Sequence, residues 1–203
     1  MAEQDAAHWE SVYGSKRPDE TSWFEDEPTV SLDLIATSSN RPGRAIDVGA
    51  GRSHLVDALL ARGWSAVTLL DLSGTALAET RDRIGADTRL STVVGDVLTD
   101  TPAITVDCWH DRAVLHFLTD PADRARYAEI AGATVAPGGV AVIGCFAPDG
   151  PEACSGLPVH RADPEGLATL FAPTFTLERA EQIDHTTPWG AVQPFTWVVL
   201  RRR

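Results

Sequence analysis

The chain has 203 residues, the size of one elaborated domain, so a large multidomain machine is excluded. Its 43% hydrophobic and 23% charged residues place it among ordinary globular proteins and away from disordered chains. Lysine and arginine number 17 against 29 aspartates and glutamates, and the resulting charge of −12 repels polyanions and argues against nucleic acid as a partner. The one dense basic run, Arg201-Arg202-Arg203, reads as a solvated chain end. No stretch approaches the roughly 18 consecutive apolar residues of a membrane span, and the first residues are polar and acidic, unlike a secretory signal. No membrane partner is expected, and the protein reads as soluble and cytoplasmic. Cys108, Cys145 and Cys154 lack the paired spacings of a disulfide framework or zinc site and read as free thiols in a reducing compartment.

In chain order, residues 1–40 are rich in aromatics (Trp9, Tyr13, Trp23, Phe24) and acids and carry two short helices, which reads as a lid or brace. From residue 44 short β-rich runs alternate with helical patterns, the mark of an α/β sheet. A first strand is predicted over 44–48 and a helix over 54–62, where Leu55, Leu59 and Leu60 fall at helical spacing. A second strand covers 65–72, and Ser73 is placed to cap a helix that Gly85 stops. A third strand covers 89–94 and a fourth 104–109, running into His110-Asp111-Arg112. Asp120-Pro121 opens a helix to about residue 135, and Pro137-Gly138-Gly139 turns the chain into a fifth strand over 140–146. The apolarity of that strand throughout suggests burial on both faces. Residues 147–162 form a Pro/Gly-rich loop, Asp163-Pro164-Glu165 opens another helix, and strands over 175–183 and 195–200 close the chain as a long hairpin.

Chemistry concentrates at Asp47-Val48-Gly49-Ala50-Gly51-Arg52-Ser53, between the first strand and its helix. Glycines there let the backbone approach a ligand closely, and free N–H groups at the helix start can receive an anion. Asp71 ends the second strand twenty residues past Gly51, where a doubly wound nucleotide site puts a carboxylate on ribose hydroxyls. A dinucleotide fingerprint wants Gly or Ala where this chain has His54, and Asp47 would set its negative charge against a phosphate. Asp47 suits a ligand carrying an amino group.

The combination Asp-x-Gly-x-Gly, Leu70-Asp71-Leu72 and Gly95-Asp96-Val97 resembles the class I S-adenosylmethionine (SAM) methyltransferases over about residues 44–146. Within them the chain is most similar to bacterial methyltransferase-domain proteins. That similarity is carried by Trp9…Tyr13…Lys16…Ser22-Trp23-Phe24, Trp109-His110-Asp111-Arg112-Ala113-Val114 and Cys154-Ser155-Gly156-Leu157-Pro158, and it spans nearly the whole chain. The aromatic N-terminal segment and the glycine turn also resemble eukaryotic enzymes that methylate protein lysines. Ser53 departs from the glycine many relatives have there.

The resemblance implies a single methyltransferase domain over 1–203. Its fold would be a doubly wound, Rossmann-like sheet, mostly parallel, with a C-terminal antiparallel hairpin and helices on both faces. Residues 41–146 would form the SAM-binding core and 147–203 the substrate side. Gly49 and Gly51 would cradle the methionine part of SAM, with Asp47 ordering the turn or meeting its amino group through water. Asp71 would take both ribose hydroxyls and Asp96 the adenine amino group, while Leu72 and Val97 pack on the ring. Trp9, Tyr13 and Trp23 would close over the sulfonium, whose positive charge suits aromatic faces. Asp111 would help hold SAM, and His110 and His116 would face the acceptor as candidate general bases; all three stand as catalytic candidates. No metal is expected, since His110, Asp111 and His116 lack a compact ligand spacing of known type.

Methyl transfer from a sulfonium is an in-line displacement whose leaving group departs neutral, so alignment and exclusion of water matter most. The expected function is transfer of a methyl group from SAM to a small-molecule S, O or N acceptor, leaving S-adenosylhomocysteine. The alternatives are methylation of lysine on a basic protein, which the acidic surface would attract, and a noncatalytic SAM-binding protein. The sequence leaves the oligomeric state open.

Overall fold

Runs of apolar residues separated by helix-forming stretches cannot solvate either face as strands, so the chain stacks them side by side and covers both faces with helices. The computed structural model describes residues 2–39 and 42–203, with side chains from residue 6 onward. Helices α1 (Ala2–Ser15) and α2 (Thr29–Ser38) precede the sheet, with a 3₁₀ turn at Pro18–Glu20 between them. Next come β1 (Arg44–Val48), α3 (Leu55–Ala61), β2 (Ala66–Asp71), α4 (Gly74–Ile84), β3 (Leu90–Val94) and β4 (Val106–Arg112). They are followed by α5 (Pro121–Thr134), β5 (Val135–Phe146), the short β6 (Ala153–Cys154) and β7 (Leu157–Pro158), α6 (Pro164–Phe171), β8 (Phe175–Thr186) and β9 (Val192–Arg202).

The seven-stranded sheet has the order β3-β2-β1-β4-β5-β9-β8. Its first five strands are parallel, β9 is antiparallel to β5, and β8 is antiparallel to β9. This is the expected doubly wound sheet with its closing hairpin. The order reverses between β1 and β4, and a crevice opens beyond the carboxyl ends of those strands.

The sheet separates two cores. Ala45, Cys108, Val140 and Val142 face Leu32 and Ile35 of α2 and Leu55 and Leu59 of α3. Ile46, Trp109, Ala141 and Ile143 face the other way, toward Tyr127 of α5 and Phe171 of α6. Neighbouring residues alternate between the cores because a strand has a period of two. The helix starts follow the sequence: Ser73 accepts from the Ala76 amide at 3.1 Å, Asp120 from Ala122 at 2.8 Å and Asp163 from Gly166 at 2.7 Å. Gly85, at φ 76°, closes α4 in a conformation that L side chains rarely adopt.

Four boundaries depart from expectation. β4 begins at Val106 and continues through Arg112, because its pairing with β5 runs to the Arg112–Gly144 pair. Pro137-Gly138-Gly139 is a bulge inside β5, where the partners of Val106 and Cys108 jump from Val135 to Val140. The loop after β5 contains the β6–β7 hairpin, and Pro194 lies within β9 opposite Asp184. Among the described residues, no helix is long and apolar enough to cross a membrane.

Candidate active site

The crevice is shaped first by backbone. Gly49 has φ 64° and Gly51 φ 51°, the left-handed region that glycine enters without strain. The Gly49 amide donates to the Leu70 carbonyl at 2.7 Å, which ties the turn after β1 to the end of β2. A Cβ at Gly49 would run into the Val114 side chain, and one at Gly51 into the Tyr13 hydroxyl, so neither position tolerates a side chain. Gly51 therefore lies beneath Tyr13, off the cavity wall.

Asp71, at the carboxyl end of β2, is buried, and its two oxygens accept from backbone. Oδ2 receives the Gly51 amide at 2.8 Å and Oδ1 the Ser73 amide at 2.8 Å. Burial pushes its pKa up to about 6, against the opposing pull of those amides. Each oxygen keeps acceptor capacity toward the cavity. Asp96 is half-buried, and its Oδ1 accepts from the Leu98 amide at 2.8 Å.

These residues surround a cavity of about 650 Å³. Asp71, Leu72, Asp96 and Val97 line it on one side, together with Val48 and Gly49. Trp9, Tyr13, Trp23 and Phe117 line it on another, with ring centroids 5.7 Å apart for Trp9–Trp23, 5.2 Å for Trp9–Phe117 and 6.1 Å for Tyr13–Trp23. Such edge-to-face spacing is the favourable arrangement of aromatic quadrupoles. Arg52 holds α1 down, donating to the Tyr13 carbonyl at 2.5 Å and the Lys16 carbonyl at 2.8 Å.

Asp47 opens on a second, smaller cavity of about 60 Å³, shared with His110, Ser31, Glu25 and Arg112. Asp47 and His110 sit opposite each other in the β1–β4 register, which brings His110 Nδ1 within 2.7 Å of Asp47 Oδ1. His110 Nε2 lies 2.8 Å from the Ser31 hydroxyl. The other Asp47 oxygen is buried and makes no hydrogen bond among the described residues.

Because β4 runs on through Arg112, its alternation splits the His-Asp-Arg segment between two faces. His110 turns toward α2, and Asp111 turns the other way, fully buried beneath α5. Asp111 accepts from the amides of Val114 (2.8 Å) and Leu115 (3.0 Å) and from the Tyr127 hydroxyl (2.5 Å), which in turn accepts from the Trp109 indole (2.8 Å). Burial raises its pKa to about 6. Asp111 thus shapes the strand-to-helix turn, where Ala113 takes φ 73°, and does not reach the cavity wall. His116 is also off the wall. It is packed against Phe117 and Phe146 at 4.4 and 4.6 Å, neither ring nitrogen has a partner among the described residues, and burial lowers its pKa to about 3. Neither Asp111 nor His116 can touch a molecule in the large cavity, and His110 reaches only the smaller one.

Arg112 returns to the α2 face and lines both cavities. Its Nη1 is 3.2 Å from Glu25 Oε2, and its Nη2 is 3.4 Å from His185 Nδ1. Reading a strand that ended at 109 left Arg112 and Glu25 without a role; a period of two carried three residues further would have put His110 and Arg112 on one face. Cys154, Leu157 and Pro158, from β6 and β7, complete the wall near Arg112. Burial raises the Cys154 thiol to about 11, so it is protonated at neutral pH.

Residues 45–139 match the family model described as a methyltransferase domain. The whole chain overlays, at 24% identity and a TM-score of 0.76, on 90% of the Burkholderia thailandensis 1,6-didemethyltoxoflavin-N1-methyltransferase, solved with 1,6-didemethyltoxoflavin and S-adenosylhomocysteine bound. A structure from work on conversion of a disulfide bond into a thioacetal group during echinomycin biosynthesis shares 22% identity and a TM-score of 0.78, covering 97% of this chain and 92% of that one. Over 76 residues, the chain is 36% identical to ribosomal RNA small subunit methyltransferase A of Synechococcus sp. strain WH7803, a match covering 37% of this chain and 27% of that protein's length. Residues 45–139 therefore match a methyltransferase domain, and the chain has the class I methyltransferase fold. The residues present fit S-adenosylmethionine as donor: a left-handed glycine bares backbone at the wall, a buried carboxylate faces the cavity, Leu72 and Val97 offer apolar sides, and Trp9, Tyr13 and Trp23 present aromatic faces that suit a cationic sulfur.

Proposed function

We propose that this methyltransferase transfers a methyl group from SAM to an S, O or N atom of a small molecule. The observation that carries the reading is the aromatic cover of Trp9, Tyr13 and Trp23 over a cavity of about 650 Å³, within the roughly 300–1,000 Å³ typical of small-ligand sites. Bound SAM supplies an electrophilic methyl group on a cationic sulfur. Asp71 accepts the ribose hydroxyls through the acceptor capacity left by the Gly51 and Ser73 amides. Asp96 meets the adenine amino group, and Leu72 and Val97 pack on the ring. Gly49, which lines both cavities, lets the chain of the donor pass close to backbone toward the smaller cavity, where the unpaired oxygen of Asp47 would meet its amino group. Trp9, Tyr13 and Trp23 exclude water and face the sulfonium. His110 acts as a positioning residue: gripped by Asp47 and Ser31, it fixes the strand ends from which Gly49 and Arg112 project.

Calorimetric titration with SAM, followed by a labelled-methyl assay against cell extract separated by molecular weight, tests the reading. Tight binding with label in the low-molecular-weight fraction is expected. Label confined to protein would move the function to lysine methylation, and binding without label would leave a SAM-binding protein that does not catalyse.

A further inference from the structure

Among the described residues that line the large cavity, Arg112 is the one basic side chain, facing four carboxylates, Asp71, Asp96, Asp120 and Asp123. Asp71 serves the turn and, in the reading above, the donor's ribose, Asp96 the donor's adenine, and Asp120 caps α5. Burial holds the guanidinium below its ordinary pKa, and the nearby carboxylates of Glu25 and Asp47 pull the other way, so the cation is only partly compensated in its place. It carries five N–H donors, and among the described residues its polar partners are Glu25 at 3.2 Å and His185 Nδ1 at 3.4 Å, with the Phe195 ring centroid 5.9 Å from its Cζ. Its side chain is 13% exposed, and that exposure opens on the cavities it lines. Glu25 is itself shared, its Oε1 lying 3.2 Å from His185 Nδ1. A buried cation with spare donors beside aromatic rings is suited to receive an anion.

We propose that the methyl acceptor is an anionic, ring-bearing small molecule whose anionic group is received by Arg112 while its ring lies against Trp9, Trp23 and Phe117. This rests on the methyltransferase reading above and adds the class of acceptor. The chemistry closes without a base on the wall. A carboxylate or phenolate oxygen, or a thiolate sulfur, attacks the methyl carbon; the new C–O or C–S bond forms as the carbon–sulfonium bond breaks and its electron pair returns to sulfur. Anion and cation become two neutral products, and no proton moves. That agrees with the positions of His110 and His116, neither of which reaches the large cavity. The guanidinium also favours the ionised form of a bound acid, so the acceptor arrives ready to attack.

The test uses the full chain loaded with S-adenosylhomocysteine and three probes of one shape, benzoate, benzyl alcohol and benzylamine, titrated by calorimetry. Benzoate is expected to bind tightest. In Arg112→Met its affinity should fall about tenfold or more, the loss of a charge-assisted hydrogen bond, while S-adenosylhomocysteine binding stays within about threefold and reports an intact fold. Arg112→Lys, which keeps the charge, should lose less, and Glu25→Gln, which frees the guanidinium, should bind benzoate more tightly than wild type. Preference for benzylamine, or no benzoate binding to the loaded wild type, overturns the inference and leaves the methyltransferase reading standing. Loss of S-adenosylhomocysteine binding in both Arg112 variants with benzoate affinity retained would make Arg112 a receptor for the donor's own carboxylate and overturns it equally. Failure of wild type to bind S-adenosylhomocysteine overturns both.

Discussion

Replacing Asp71 by Asn removes one carboxylate charge while keeping the side chain's shape, and it acts on both stability and binding. The carboxylate now accepts the Gly51 and Ser73 amides at 2.8 Å each. An amide side chain has one accepting oxygen, so one of those N–H groups loses its partner, at a cost of about 1–3 kcal/mol of stability. Toward the ribose, the variant loses at least one charge-assisted hydrogen bond, worth about 1.5–3 kcal/mol, or roughly 10- to 150-fold in affinity for S-adenosylhomocysteine. The pH dependence follows from the raised pKa of about 6. Ribose hydroxyls donate to the ionised form, so binding favours the carboxylate and releases its proton. Between pH 7 and pH 5 the ionised fraction of the free enzyme falls roughly tenfold, and wild-type affinity should fall with it. Asn does not titrate, so D71N should be flat over that range. Calorimetry at pH 5, 6 and 7, in two buffers of different ionisation enthalpy, measures affinity and proton release together. A folded D71N variant with wild-type affinity, or one that keeps the pH slope, would refute the ribose assignment.

Gly49→Ala forces a side chain into the Val114 contact at φ 64°, and is expected to lower the melting temperature and abolish S-adenosylhomocysteine binding; circular dichroism and calorimetry on the same sample check this. Ser73→Ala removes the acceptor for the Ala76 amide at the start of α4, an expected loss of about 1 kcal/mol by urea denaturation. Tyr127→Phe leaves the Trp109 indole unpaired and takes a donor from Asp111, for an expected loss of about 1–3 kcal/mol. The sign of its pH dependence is fixed. Asp111 already has its pKa raised to about 6, so the native state favours its protonated form, and that advantage is lost as pH rises through 6. Removing the Tyr127 hydroxyl raises the pKa further, so the variant should be more destabilised at pH 7 than at pH 5. Equal losses at the two values would count against the network.

The parts of the fold legible in the sequence are those set by local chemistry. Ser73, Asp120 and Asp163 announce their helices because a capping oxygen acts within three residues, and the glycine turn after β1 announces the crevice because its backbone conformation excludes side chains. The β4 boundary was not legible, because His-Asp-Arg reads as polar loop until its partners are known. His110 is satisfied by Asp47 across the strand and Ser31 from α2, and Asp111 by Tyr127 from α5, contacts that span 16 to 79 positions in sequence. The same long-range pairing carried the strand on through Arg112 and so decided which of the three residues meets the cavity. The position of Gly51 beneath Tyr13 was hidden for a similar reason, since it depends on how α1 folds back over the sheet.

The most direct measurement is a crystal structure of the chain with S-adenosylhomocysteine. Both ribose hydroxyls are expected on the Asp71 carboxylate, adenine between Leu72 and Val97 with its amino group at Asp96, and the sulfur beneath Trp9, Tyr13 and Trp23. A ligand seated away from Asp71, or a crevice that takes a nicotinamide dinucleotide in preference, would contradict this expectation.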